Sequence, residues 1–151
     1  MQQRMRNPAV VIPDAMKAIH ALIAATSNST APQETMGLVH LRASQINGCS
    51  FCIEYATHSA QKSGESGGRR FAVPGWRTSA LINDAERAAL ALAEAVTRLA
   101  DQEDLVPDAV WEQASKHYNE TELASLILWI GTTNVFNRLN VTTRQVPGTW
   151  G

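Results

Sequence analysis

The spacing of the apolar residues restricts this chain to helices. Alternation with a period of two, the mark of a half-buried strand, is nearly absent, while spacings of three and four recur from end to end. In "DAMKAIHALIAA", after Pro13, residues Met16, Ile19, His20 and Ile23 fall on one helical stripe. "QETMGLVHLRASQI" follows Pro32, a residue suited to a first helical turn, and stops where Gly48 interrupts. The next segment runs as a helix to about Gly64, which suits a C-terminal stop. Asn83 with Glu86, and Asn119 with Glu122, have the spacing of capping boxes. They open "DAERAALALAEAVTRLA" and "LASLILWIGTTNVFNRLNV". Between these two, Pro107 opens a short helix through Trp111 to about His117. "SGESGGRRFAVPGWRTSALI" reads as a connector with one short turn around Arg70 to Val73. The expectation is an all-α bundle of about six helices forming a single domain over residues 1–151, long enough to bury its own core.

Charge excludes some functions. A formal net charge of -1 leaves no basic surface to attract nucleic acid or an anionic membrane. "MQQRMRNPAVVIPDAM" lacks the apolar run of a signal peptide, and no later segment is long enough to span a bilayer. The expected compartment is the cytoplasm, where structural disulfides are rare.

That makes "INGCSFCIEYATH" informative, because it holds both cysteines of the chain, Cys49 and Cys52, at the start of a helix. Unpaired N–H groups and the helix dipole favour negative charge there, so a thiolate is stabilised. CxxC spacing lets one thiolate attack and the other resolve the oxidised sulfur. The alternative is two small buried side chains one helical turn apart. A structural zinc site needs about four ligands, and His20, His40, His58 and His117 show no finger-like spacing, so no metal is expected. The βαβ setting of a thioredoxin is missing. No glycine-rich phosphate loop follows a strand, and nothing asks for a nucleotide.

"LVHLRASQINGCSFC", then "ERAALALAEAVTRLAD" and "NVFNRLNVTTRQVPG", resemble the alkylhydroperoxidase D-like branch of the carboxymuconolactone decarboxylase family, from about Glu34 to Val146. The resemblance implies an all-α fold that assembles into trimers or hexamers and reduces organic hydroperoxides with its thiols. It implies that the second cysteine, here Cys52, attacks the peroxide and the first, Cys49, resolves it. It further implies a dithiol reductant, such as a lipoyl-bearing protein, and no flavin, haem or other cofactor.

The peroxidase members of that branch also carry a glutamate twelve residues before the first cysteine and a histidine four after the second. Those positions here are Gly37 and Ala56, neither of which exchanges a proton. His40, three residues after Gly37, shares its helical stripe and is a candidate substitute, with a core histidine as the alternative. Tyr55, three after Cys52, is a candidate hydroxyl donor. Glu34 lies one turn before Gly37 and also suits a helix start, while Glu54 and His58 project away from the cysteines. Glu94, inside an apolar run, reads either as a buried carboxylate with a raised pKa or as the partner of Arg98 in an i,i+4 ion pair. Trp76, Trp111, Trp129 and Phe136 are expected in the core or at subunit contacts, and Asn134, Asn137 and Arg138 in structural polar contacts. Two other functions fit the same residues: a carboxymuconolactone-type decarboxylase, and a redox-sensing helical module without turnover.

Overall fold

The computed structural model describes residues 2–62, 64 and 67–148. Among these residues eight α-helices follow one another: α1 Pro8–Val11, α2 Ala15–Thr26, α3 Gln33–Ile46, α4 Ser50–Lys62, α5 Gly68–Ala72, α6 Asp84–Thr97, α7 Asp108–His117 and α8 Glu120–Thr143. Short 3-10 turns occupy Val73–Gly75 and Leu99–Asp101, and no strand occurs among the described residues. The all-α expectation holds, but two of the helices were not counted in it. α1 is a single turn, started by Pro8 and by the Asn7 side chain accepting from the Ala9 N–H. α5 lies in the glycine-rich connector and is too short to show a period.

Both capping boxes form. Asn83 Oδ1 accepts from the Glu86 N–H at 2.9 Å while Glu86 Oε2 accepts from the Asn83 N–H at 2.9 Å, and Asn119 with Glu122 repeats the arrangement. Local chemistry therefore starts α6 and α8 where the sequence predicts.

α3 is the central element, packed against α4, α6 and α8. It buries two faces. Met36 and Val39 meet Leu92 of α6 and Leu126 and Ile130 of α8, while Leu38 and Leu41 meet Ala56 of α4, Val73, Trp76, Ile82 and Leu90. Each fully buried large aliphatic side chain contributes about 1.5–3 kcal/mol relative to exposure, so α3 is held firmly on both sides. Trp129 adds a polar clasp: its indole N–H donates to the Met36 carbonyl at 2.8 Å. α8 is apolar beyond what this packing needs. Leu126 and Ile130 are buried, yet Ile127, Leu128, Val135 and Val141 are exposed on its other side.

Candidate functional site

The turn between α3 and α4 sets the cysteines. Gly48 takes a left-handed conformation, φ 65°, that an L side chain rarely adopts. With it, the Gly48 N–H bonds to the Gln45 carbonyl at 3.2 Å and the Cys49 N–H to the Ser44 carbonyl at 3.0 Å. That is a Schellman closure of α3, and it fixes Cys49 directly at the entry to α4. Cys49 then caps the new helix with sulfur in the way a serine would with oxygen: its Sγ accepts from the Cys52 N–H at 3.3 Å. The two cysteines are joined as a disulfide, Cα atoms 5.3 Å apart, and both are buried.

A ladder of asparagines on α8 secures this turn. Asn47 donates from Nδ2 to Asn134 Oδ1 at 2.9 Å and to Asn137 Oδ1 at 2.8 Å, and Asn137 donates to Ser44 Oγ at 3.1 Å. One turn further along α8, Asn140 donates to Cys52 Sγ at 3.4 Å while accepting from Asn7 at 2.8 Å. The structural role expected for Asn134 and Asn137 is therefore specific: they hold the cysteine turn. Arg138 donates back to Asn134 at 2.9 Å. Asn140 carries no sequence signal, since 88 residues separate it from Cys52.

Access is unequal. A small cleft of about 80 Å³ opens beside Cys49, lined by Gly48, Phe51, Asn140, Val141, Arg144 and Gln145 among others. Cys52 is not part of its lining.

His40 of α3 approaches the Cys52 backbone. Its Nδ1 is 3.1 Å from Thr133 Oγ1, and its ring packs 5.7 Å from that of Trp129. Nε2 is enclosed and has no hydrogen-bond partner among the described residues. Burial lowers the His40 pKa, the Cys52 backbone carbonyl raises it and the Arg70 charge lowers it again, leaving it at about 4. The imidazole is thus neutral at neutral pH and a weaker base than a free imidazole. Two positions on the helices flanking the pair bear no polar side chain, Gly37 and the buried Ala56. The Ala56 carbonyl accepts from Arg70 Nη1 at 2.7 Å.

The other candidates sit elsewhere. Tyr55 is 47% exposed, on the outer side of α4, whereas Cys52, Ala56 and Ala60 form its buried side. Glu54 is exposed and His58 partly buried on that same helix. Glu34 pairs with Arg69, which also engages the buried Glu86. Glu94 does not pair with Arg98. It accepts from Arg42 Nε at 2.7 Å, Trp76 Nε1 at 2.8 Å and Arg77 Nη2 at 2.6 Å. Arg98 falls at the C-cap, out of helical geometry, and pairs with Asp101 at 3.2 Å. Burial pushes the Glu94 pKa up, but the bonds from Arg77, Trp76 and Arg42 outweigh it and leave the carboxyl below its ordinary range. Trp111 is 45% exposed, unlike the buried Trp76. Among the described residues no group of three or more His, Cys, Asp or Glu is close enough to hold a metal ion. Nor is any described helix long and apolar enough to cross a membrane.

Comparisons with known proteins bear on the family and the fold. The model of the carboxymuconolactone decarboxylase family matches residues 13–95. The chain is 32% identical to YdfG of Bacillus subtilis, an uncharacterized protein, over 131 residues, 87% of this chain and 88% of that protein. Among solved structures it resembles ATU0492 of Agrobacterium tumefaciens, of unknown function and suggested to be the antioxidant defence protein AhpD. The TM-score is 0.88 at 32% identity, covering 98% of this chain and 99% of that one. The apo debrominase Bmp8 shares the fold, with a TM-score of 0.79 at 23% identity over 91% of this chain and 73% of that one.

Proposed function

The chain belongs to the carboxymuconolactone decarboxylase family, and from that footing we propose that it is a thiol-dependent reductase of organic hydroperoxides in the alkylhydroperoxidase D-like branch. The observation that carries this reading is the Cys49–Cys52 pair, closed as a disulfide at a helix start with Cys49 beside an open cleft. In the reaction Cys52, as thiolate, attacks one peroxide oxygen. The S–O bond forms, the O–O bond breaks, and the alcohol leaves after protonation. The Cys49 thiol then attacks the Cys52 sulfenic acid, water departs, and the disulfide forms. A dithiol such as dihydrolipoamide restores the pair, attacking through the cleft at Cys49 and expelling Cys52 as thiolate. His40, neutral and partly buried near the Cys52 backbone, is the candidate for relaying the proton, and its low basicity makes it a slow relay. Tyr55, exposed on the outer side of α4, has no part in this scheme. No cofactor or metal takes part in it. The exposed apolar side of α8 is where copies of the chain would meet as a trimer or hexamer, and the expected setting is the cytoplasm.

The test is consumption of cumene hydroperoxide with a dithiol donor by the wild type, Cys52→Ser and Cys49→Ser. The proposal expects turnover in the wild type alone, and equal rates in all three overturn it. A brominated pyrrole belongs in the same assay, because Bmp8 is a debrominase by name and a cysteine-to-alanine variant of it has been solved in complex with 2,3,4-tribromopyrrole. Turnover of a muconolactone by the double serine variant would assign the decarboxylase instead. A disulfide that cycles without turnover would assign a redox-sensing module.

A further inference from the structure

Besides the Leu38 and Leu41 packing on Ala56, a side chain from a third helix enters between α3 and α4. Arg70 reaches across from α5. Its Nη1 donates to the Ala56 carbonyl, and its Nη2 lies 2.9 Å from the point where a Cβ on Gly37 would stand. Any side chain at position 37 would have to displace the end of this arginine, so the absence of one is what admits it. Ala56 is one helical turn past Cys52, and a turn rises about 5.4 Å. His40, one turn past Gly37 on α3, lies within the electrostatic reach of the same guanidinium.

We propose that Arg70 is a positioning residue of the dithiol site: its guanidinium, lodged over Gly37 and Ala56, supplies a permanent positive charge beside the pair that favours the thiolate over the thiol. Arginine does not deprotonate in proteins, so this charge persists at every working pH. Two positions that would offer titratable groups in peroxidase relatives hold instead the backbone and space that seat a fixed cation. The role rests on the redox reading of Cys49 and Cys52. The other charged or titratable groups around the pair are His40 on α3, Arg144 at the end of α8, and Glu54 and His58 on α4. Glu34 and Glu86 near α5 are engaged by Arg69.

The experiment titrates the ultraviolet thiolate absorbance of the reduced protein against pH, which needs no turnover. A cation within about 6 Å of a thiol moves its pKa by about one unit. Arg70→Met is expected to raise the lower midpoint by about that amount, a roughly tenfold loss of thiolate below it, whereas Arg70→Lys retains most of the wild-type value. Gly37→Glu sets a carboxylate against the guanidinium and is expected to reproduce the Arg70→Met shift with Arg70 present. It also carries the test if Arg70→Met does not fold. Midpoints of folded Arg70→Met and Gly37→Glu that coincide with wild type overturn the proposal, as does a shift produced by Arg144→Gln alone. Arg70-dependent titration in a protein that reduces no hydroperoxide supports the role of Arg70 while overturning the peroxidase reading. Turnover with Arg70-independent titration does the reverse.

Discussion

Replacing Asn137 with leucine should loosen the cysteine turn and cost the fold measurable stability. The side chain is fully enclosed between α8 and the end of α3, accepting from Asn47 at 2.8 Å and donating to Ser44 at 3.1 Å. Leucine fills a similar volume but makes neither bond. Asn47 keeps its second acceptor, Asn134, whereas the buried Ser44 hydroxyl loses the donor to it. Two lost bonds at about 1 kcal/mol each, with partial desolvation of a buried group, give roughly 3 kcal/mol. For a domain of this length that is about 6–12 °C in Tm. Urea unfolding of the oxidised protein measures it, with Asn134→Leu as reference. Asn134 is less buried and shares its acceptor role, so its loss should cost about 1 kcal/mol. The disulfide of Asn137→Leu should also be reduced faster by a small dithiol, because Asn47, which closes α3, is then held by Asn134 alone. A loss under about 0.5 kcal/mol, or equal losses in the two variants, would refute the view that this amide secures the turn.

His40 predicts an acid-sensitive fold. Its pKa is lowered from 6.5 to about 4, so between these values the unfolded chain binds the proton that the folded chain refuses. Stability is full above about pH 6.5, falls as the pH drops towards 4 and is not further affected below that, an effect on the order of 3 kcal/mol. His40→Gln should flatten that window in chemical-denaturation curves taken across pH. Glu94, held below its ordinary range by Arg77, Trp76 and Arg42 against the opposing effect of burial, acts at lower pH: its contribution is present above about 4.5 and lost as pH falls through its depressed folded value. Glu94→Gln should cost on the order of 2 kcal/mol at pH 7 by urea unfolding, because Arg42 is left partly buried without its partner.

What the sequence made legible was local. Both capping boxes, the stop at Gly48 and the helix start at the cysteines depend on residues a few positions apart, and each appears where its spacing predicts. α1 and α5 escaped because one or two turns show no period. The i,i+4 rule for Glu94 and Arg98 failed for a tertiary reason. Arg42 and Arg77 reach the carboxylate from other elements, while Arg98 turns away at the helix end. The surroundings of the cysteines were only half visible. His40 could be singled out by its stripe, but its Thr133 partner, the Asn140 bond to Cys52 and the Arg70 approach to Gly37 join residues far apart in the chain. The glycine itself was the available hint. Inside a helix it lowers stability, so a neighbour needing the space is a physical reason for it.

The most direct measurement is the mass of the fully reduced protein after one equivalent of cumene hydroperoxide. If Cys49 and Cys52 form the reacting pair, the wild type loses two hydrogen masses and its free thiols, while Cys49→Ser gains one oxygen on Cys52. An unchanged wild-type mass with both thiols still titratable would contradict the account at its centre.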